Sequence, residues 1–298
     1  MNQLYILAFD HRSSFLKMMG LTPDTLDDDN HNRICHLKDI IYKGFKMAAP
    51  AEIPKESAAI LVDEYFGQNV LADASRRGYR CCLPVEKSGQ TEFSFEYGND
   101  FAEHITKFKP NIVKALVRYN PEQNKDLNQR QLKRLKQLSD FCHEQNYPLM
   151  LEVLVPATPA QLNQVRGDIE CYDTEIRPKL MLQMVDELYE AKVEAKIWKL
   201  EGLDKTEQYL SLVEQVQVGG RQNCGVVILG RDASIKQIEA WFAAGANVKG
   251  VIGFAVGRTI FEEPIEQLFN GYINDDKAVQ EIAKRYIELY ALFNKYKA

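Results

Sequence analysis

The chain has 298 residues, enough for one large domain or two ordinary ones, and its composition excludes several classes of protein. Apolar residues make up 45% and charged residues 27%, which is typical of a globular protein and not of a disordered or fibrous one. The 37 basic and 42 acidic residues give a net charge of -5, which argues against a non-specific nucleic-acid binder. Because the chain has no apolar run of membrane-spanning length and no secretory leader pattern, we expect a cytoplasmic protein without a membrane partner.

The 6 cysteines and 5 histidines do not show the spacing of a metal site. His31 and Cys35 lie four residues apart, but no further ligands accompany them. Cys81 and Cys82 are adjacent, so on a strand they would point to opposite faces. The sequence therefore predicts buried free thiols, no bound metal and no cofactor.

Short β-branched runs alternate along the chain with longer amphipathic stretches. Strands are predicted at 4–9, 57–63, 79–85, 111–117, 149–155, 195–200, 225–229 and 248–253. Helices are predicted at 127–145, 174–193, 233–244, 257–270 and 275–296. The strand runs are apolar on nearly every residue, as in parallel strands buried on both faces. Eight such units in this length predict an α/β fold, a (β/α)8 TIM barrel that forms a single domain over 1–298 with C-terminal helices.

A doubly wound nucleotide-binding fold is the alternative with the same alternation. It would need a glycine fingerprint after the first strand, but that strand ends in Asp10, His11 and Arg12. The chain also has no phosphate-binding loop of the Walker type. These absences favour the barrel.

Ionisable residues occupy the carboxyl ends of the predicted strands, where barrel enzymes place their chemistry. They are Asp10, Asp63, Glu86, Lys87, Lys114, Glu152, Lys199, Glu201, Arg231 and Arg258. Each alone has an ordinary alternative: a lysine that reaches water, a carboxylate that caps a helix, or a solvated arginine. Because a buried charge is costly unless it is paired, we expect the set to meet a ligand or one another.

Two of these residues, Lys114 and Lys199, are lysines with apolar neighbours. A second ammonium group and desolvation can lower the pKa of a lysine, and the free amine then condenses with a ketone. The resulting iminium withdraws electrons and permits cleavage of a carbon–carbon bond. Strand alternation places Lys199 and Glu201 on one face of their strand. Glu201 is thus an alternative to Glu152 as the carboxylate that pairs with Lys114.

Six motifs in order give the chain a recognisable pattern. They are LVDEYFG (61–67), EKSG (86–89), VKALVRYNP (113–121), LEVLVP (151–156), WKLEG (198–202) and GFAVGRTIF (253–261). Over about 4–270 the chain resembles the class I tagatose-1,6-bisphosphate aldolases. With LAFDHRSSF (7–15) and PVEKSGQTEFSFEYG (84–98) it is also similar to the aldolase-like domain fused behind 5-dehydro-2-deoxygluconokinase in bacterial inositol catabolism.

The resemblance implies a role for five of the residues. Lys199 matches the Schiff-base lysine, and Lys114 matches the second lysine beside it. Glu152 matches the carboxylate that transfers protons. Asp10 matches the acid that contacts substrate hydroxyls, and Arg258 matches the arginine that binds phosphate.

The loop after the seventh strand departs from the family pattern. The bisphosphate aldolases have Ser where this chain has Gly230, followed by Arg231. A glycine N–H can still bind phosphate, with Arg231 adding charge and Gly257 allowing close approach near Arg258. The departure argues against tagatose 1,6-bisphosphate as the substrate.

The resemblance implies a metal-independent class I aldolase that cleaves a phosphorylated keto sugar or sugar acid to dihydroxyacetone phosphate and an aldehyde. The first choice of substrate is 5-dehydro-2-deoxygluconate 6-phosphate, which would also release malonate semialdehyde. A sulfo-sugar phosphate or a ketose bisphosphate is an alternative substrate. A non-catalytic sugar-phosphate-binding barrel that accompanies a kinase is an alternative function. We also expect a homo-oligomer.

Overall fold

The short apolar runs of the sequence form a closed barrel of parallel strands in the order β1 to β8. The computed structural model describes residues 2–231 and 233–297. The strands are β1 Leu4–Ala8, β2 Ala58–Leu61, β3 Arg80–Pro84, β4 Ile112–Arg118, β5 Leu149–Leu154, β6 Ile197–Glu201, β7 Gly225–Leu229 and β8 Val251–Val256. β8 pairs in parallel with β1, which closes the barrel and confirms the predicted (β/α)8 fold.

Helices follow the strands and cover the outside of the barrel. They are α1 Ser13–Met18, α2 Asp28–Glu52, α3 Glu64–Arg77, α4 Phe101–Phe108, α5 Lys125–Glu144, α6 Pro159–Gln164, α7 Ile169–Cys171, α8 Arg177–Glu190, α9 Thr206–Gln217, α10 Ile235–Gly245, α11 Arg258–Phe269 and α12 Asp275–Lys295. A π-helical turn at Tyr172–Ile176 joins α7 to α8. Among the described helices, none combines the length and the apolar character that crossing a membrane requires.

Alternation along the strands produces two apolar cores. The smaller one fills the barrel interior with residues from every strand: Leu4, Ile6, Ala8, Ala59, Leu61, Cys82, Ile112, Met150, Ile197, Val227, Ile252 and Ala255. The larger one lies between the strands and the helices. Since successive strand residues face opposite ways, Lys114, Glu152 and Lys199 lie two residues above members of the interior core. The barrel therefore directs these three side chains inward, near its carboxyl end.

The eighth strand begins later than the sequence predicts. The predicted run 248–253 contains Gly250, whose φ of +110° turns the chain before β8 begins at Val251. The Val251 N–H donates to the Val248 carbonyl within this turn. The hydrophobic run at 248–253 thus includes a turn, and β8 extends to Val256.

The last helix packs against the first part of the chain, because α12 lies against α2 and the Tyr5 hydroxyl of β1 donates to Asn294 Oδ1 at 3.3 Å. Ala48 on α2 and Phe293 on α12 are both buried in the outer core. The end positions of the predicted single domain, 1 and 298, lie outside the described residues. The 6 cysteines are free thiols; Cys35 and Cys171 are half-buried and the others are buried.

Candidate active site

A cavity of about 410 Å³ opens at the carboxyl end of the barrel, which is the size of a small-ligand site. Among the described residues, its charged lining comprises seven basic and three acidic side chains: Arg12, Lys87, Lys114, Arg118, Lys199, Arg231 and Arg258, and Asp10, Glu86 and Glu152. The whole chain carries a net charge of -5, so basic residues are concentrated here. Such a lining attracts an anionic ligand.

Glu152 joins the two inward lysines at the floor of the cavity. The register pairs Glu152 on β5 with Lys199 on β6, and the Lys199 Nζ lies 2.6 Å from Glu152 Oε1. The other oxygen, Oε2, lies 2.9 Å from the Lys114 Nζ. The structure therefore brings both lysines to one carboxylate, with all three side chains almost fully buried.

Lys114 contacts two further carboxylates. Its ammonium donates to Asp10 Oδ2 at 2.9 Å and also to Glu86. Burial acts to lower the pKa of Lys114, but the carboxylates of Asp10, Glu152 and Glu86 raise it well above its usual value. Lys114 is therefore held as an ammonium ion at neutral pH.

The carboxylates of the cluster respond differently to the same burial. Burial acts to raise the pKa of Glu152, but the Lys114 and Lys199 ammonium groups hold it below its usual value. The same opposition, dominated by Lys114, holds the pKa of Asp10 low. At Glu86 the burial effect exceeds the attraction of Lys114, so its pKa is raised. Asp10 and Glu152 are thus ionised and able to accept protons.

His11 follows Asp10 and lines the same cavity. Burial lowers the pKa of its imidazole to about 4, so the ring is neutral at pH 7. Its Nδ1 is buried and, within the part of the chain that the structure describes, has no hydrogen-bond partner. A neutral imidazole in this position can exchange a hydrogen bond with a bound ligand.

The segment from Glu86 to Phe95 forms one wall of the cavity. It folds back on itself through a β-bridge between Glu86 and Phe95. Arg12, which follows β1, holds this segment in place by donating to the Glu86 carbonyl at 2.6 Å and to Oε2 of the adjacent Glu96 at 2.6 Å. Lys87 lines the cavity from this segment.

The opposite wall is the start of α11, where Gly257 and Arg258 line the cavity. Gly257 packs against β1, and a Cβ at this position would lie 2.0 Å from the Ala8 carbonyl oxygen. Only glycine fits there, and it lets the first turn of α11 approach the cavity. The N–H groups of a first helical turn lack intrahelical partners and attract anions, and Arg258 adds a guanidinium.

The loop after β7 contains Gly230 and Arg231, which the sequence predicts to contact the phosphate. Gly230 lines the cavity, but its N–H donates to the Ala255 carbonyl at 3.3 Å and is not available to a ligand. Arg231 also reaches the cavity edge, but its guanidinium binds Glu201 at 2.9 Å and Asp173 at 3.0 Å. The guanidinium is thus engaged with two carboxylates while it lines the cavity, and its role in binding phosphate stays a prediction.

The structure assigns two predicted carboxylates to other partners, and neither lines the cavity. Asp63 binds Lys38 of α2 and caps α3 by accepting from the Phe66 N–H at 2.8 Å. Glu201 accepts from the Val155 N–H at 2.9 Å and binds the Arg231 side chain. Glu201 therefore meets another member of the predicted charged set, Arg231, whereas Asp63 pairs with a lysine outside it. The alternative pairing of Glu201 with Lys114 is wrong, because the Lys114 ammonium pairs with Asp10, Glu86 and Glu152.

Three titratable residues of the cavity lining, as the structure describes it, were missed in the sequence, namely His11, Arg12 and Arg118. Arg118 could have been found by alternation, because it lies on the same face of β4 as Lys114, four residues later. His11 and Arg12 follow Asp10 directly, but a loop has no period that shows which side chains face inward.

Two comparisons with known proteins concern the sequence. A family model described as "Uncharacterized protein conserved in bacteria (DUF2090)" matches residues 1–297. Curated proteins provide no match to this chain.

Several solved structures share the fold. A Schiff base forming fructose-1,6-bisphosphate aldolase aligns over 98% of this chain and 94% of its own, with a TM-score of 0.56 and 13% identity. Cgl0159 from Corynebacterium glutamicum aligns over 95% and 85%, with a TM-score of 0.54 and 16% identity. An archaeal fructose 1,6-bisphosphate aldolase aligns over 96% and 94%, with a TM-score of 0.54 and 12% identity. At these identities the similarity shows the fold.

Proposed function

The chain belongs to the DUF2090 family, and we propose that it is a class I aldolase that forms a Schiff base with a phosphorylated keto sugar or sugar acid. The observation that carries this proposal is the position of Lys199 and Lys114 on one carboxylate, Glu152, inside a basic cavity at the carboxyl end of the barrel. A solved barrel with the same fold is a Schiff base forming aldolase, which supports the proposal.

Lys199 is the nucleophile, and its contacts distinguish it from Lys114. Lys199 forms an ion pair with Glu152 alone among the described residues, whereas Lys114 meets three carboxylates that keep it protonated. The Lys199 amine attacks the substrate ketone, and loss of one water gives the iminium. We also propose that the positive charge of Lys114 activates Lys199 by favouring its neutral amine. The carboxylates around Lys114 offset part of that charge and so act against this activation.

Glu152 carries the protons of imine formation. It contacts the Lys199 Nζ at 2.6 Å, so it can take the ammonium proton and return one to the departing hydroxyl of the carbinolamine. Lys114 stabilises the ionised form of Glu152 between these steps.

Asp10 is the base for the cleavage step. Its carboxylate removes the proton from the hydroxyl two carbons from the iminium carbon, and that oxygen becomes the aldehyde. The electron pair of the broken carbon–carbon bond moves into the iminium to give an enamine. Protonation of the enamine and hydrolysis then release the ketone product and restore Lys199.

The first choice of substrate is 5-dehydro-2-deoxygluconate 6-phosphate. Its C5 ketone would form the imine, and cleavage between C3 and C4 would give dihydroxyacetone phosphate and malonate semialdehyde. The concentration of basic side chains in the cavity supports an anionic substrate of this kind.

Trapping with borohydride tests the proposal. Incubation with dihydroxyacetone phosphate and borohydride should add the mass of the reduced adduct to the wild-type chain, and peptide analysis should locate it on Lys199. Lys199→Met should show no adduct. Lys196→Met is the matched control, because Lys196 is exposed just before the start of β6, and it should be labelled normally. Absence of an adduct on the wild type, or an adduct on another lysine, would overturn the proposal.

A further inference from the structure

Two cations of the cavity, Arg118 and Lys87, differ in their partners from four of the others. Arg12, Arg231, Lys114 and Lys199 each bind at least one carboxylate. Across residues 2–231 and 233–297, neither Arg118 nor Lys87 has a carboxylate within ion-pair distance.

Hydrogen bonds fix this side of the cavity. The Arg118 guanidinium donates to the Gln90 carbonyl at 2.8 Å, which uses one of its five N–H donors. The Ser13 and Ser88 hydroxyl oxygens lie 2.9 Å apart. Ser13, Ser88 and Gln90 also line the cavity. This side of the cavity thus combines two hydroxyl groups with two cations that have no carboxylate partner among the described residues.

The barrel order places Arg118 across the cavity from the start of α11. In a closed barrel of eight strands, β4 lies across from β8, so Arg118 at the end of β4 faces Arg258 after β8. Lys114 lies deeper in the barrel, on the same face of β4 and four residues before Arg118. A ligand whose carbonyl reaches the two lysines can therefore extend towards both walls.

We propose that Arg118 and Lys87, with Ser13 and Ser88, bind a second anionic group at the end of the substrate remote from its phosphate. The substrate then carries a negative charge at each end, and for a sugar acid the second charge is a carboxylate, which an arginine fork can bind. This inference rests on the proposed function in one respect, which is that the phosphate end lies at Arg258.

Binding of two matched ligands tests the inference without any imine chemistry. 6-Phosphogluconate and sorbitol 6-phosphate differ only at C1, which is a carboxylate in one and a hydroxymethyl group in the other, and neither has a ketone or aldehyde that could form an imine. Calorimetry should show that the wild-type protein binds 6-phosphogluconate about 10- to 100-fold more tightly, as expected for charged hydrogen bonds.

Variants should remove this preference selectively. Arg118→Gln should bring the affinity ratio close to one and leave the affinity for sorbitol 6-phosphate unchanged. Lys87→Gln should lower the ratio less, and since Lys87 is exposed, this variant tests the idea even if Arg118→Gln folds poorly. Lys125→Gln is the matched control, because Lys125 is an exposed cation at the start of α5, after β4, and lies outside the cavity lining.

A wild-type ratio near one would overturn the inference, as would an equal loss for both ligands in Arg118→Gln and Lys87→Gln. Failure of the proposed function is a separate outcome. If the preference holds but borohydride traps no adduct, the second anion site stands and the aldolase does not. If an adduct forms and the ratio is one, the reverse is true.

Discussion

Two buried lysine–carboxylate groups in this barrel are chemically alike but differ in what surrounds them. Lys38 and Asp63 form an ion pair with side-chain exposures of 0% and 2%, and Lys199 and Glu152 form one with exposures of 6% and 8%. Burial therefore does not distinguish the two pairs. The difference is that Lys199 and Glu152 line the cavity, whereas Lys38 and Asp63 do not.

The partners of the two groups explain this difference. Lys38 also donates to the Phe9 carbonyl at 2.9 Å, and Asp63 also caps α3, so the polar groups of that pair are satisfied within the protein. At Glu152 one carboxylate serves two lysines, and the space beside them is empty of protein. A closed pair of this kind stabilises the fold, whereas an open group can exchange its partner for a ligand. We therefore expect mutations in the open group to change catalysis and mutations in the closed pair to change stability.

The largest effect is expected in the open group. Glu152→Gln keeps the size of the side chain but removes the charge that moves protons, and it should lower kcat by about 10²- to 10⁴-fold. Glu201→Gln is the matched control, because Glu201 is equally buried but binds arginines and lies outside the cavity lining. Steady-state kinetics with the cleavable substrate gives the comparison. Near-normal turnover in Glu152→Gln combined with loss in Glu201→Gln would reverse the assignment.

In the closed pair the expected effect is on stability. Lys38→Met leaves the Asp63 carboxylate buried without its cation and should lower the free energy of unfolding by about 3–5 kcal/mol. Lys43→Met removes an exposed lysine from the same helix and should change it by less than about 0.5 kcal/mol. Urea denaturation measures both. An unchanged free energy of unfolding in Lys38→Met would mean that the buried Asp63 carboxylate does not require the Lys38 ammonium group.

Substitution of Arg258 tests whether the start of α11 binds the phosphate of the substrate. Arg258→Gln should raise KM about 10- to 100-fold for a phosphorylated substrate, because a charged hydrogen bond is lost, and should have little effect on an unphosphorylated analogue. Arg285→Gln removes a guanidinium that binds Glu263 on the surface of α11 and should leave both KM values unchanged. Equal losses for both substrates in Arg258→Gln would assign Arg258 to support of the fold.

The smallest effect is expected from His11 and appears as a pH dependence. The pKa of His11 is about 4 in the folded chain against 6.5 ordinarily, so the unfolded chain binds the proton more readily between these values. Stability from this group is present above pH 6.5 and is lost as the pH falls towards 4. The loss is at most about 2 kcal/mol, since the half-buried ring keeps some contact with water.

Denaturation at pH 7 and pH 4.5 measures this dependence. The difference in unfolding free energy between the two pH values should be smaller in His11→Gln than in wild type. The His143→Gln control removes an exposed histidine and should keep the wild-type difference. An unchanged difference in His11→Gln would mean that the imidazole is not held neutral by burial.

Part of this site could be predicted from the sequence, because it depends on the regular alternation of side chains along each strand. Buried parallel strands have a period of two, so the inward direction of Lys114, Glu152 and Lys199 follows from the apolar residues two positions earlier. The regular alternation of strands and helices likewise predicts the barrel and its carboxyl-end cavity. Even the late start of β8 has a local cause, the positive φ of Gly250.

Only the tertiary structure decided which charges meet. Asp63 ends a strand just as Asp10 does, but Lys38 from α2, 25 positions earlier, occupies its oxygen and removes it from the cavity. Glu201 is two residues beyond Lys199 on the same face, yet Arg231 from the next strand's loop binds it. The sequence by itself determined the barrel and the lysines that point into it, because alternation is set by neighbouring residues. The partner of each charge was decided by strand register and helix packing, which bring together residues far apart in the chain.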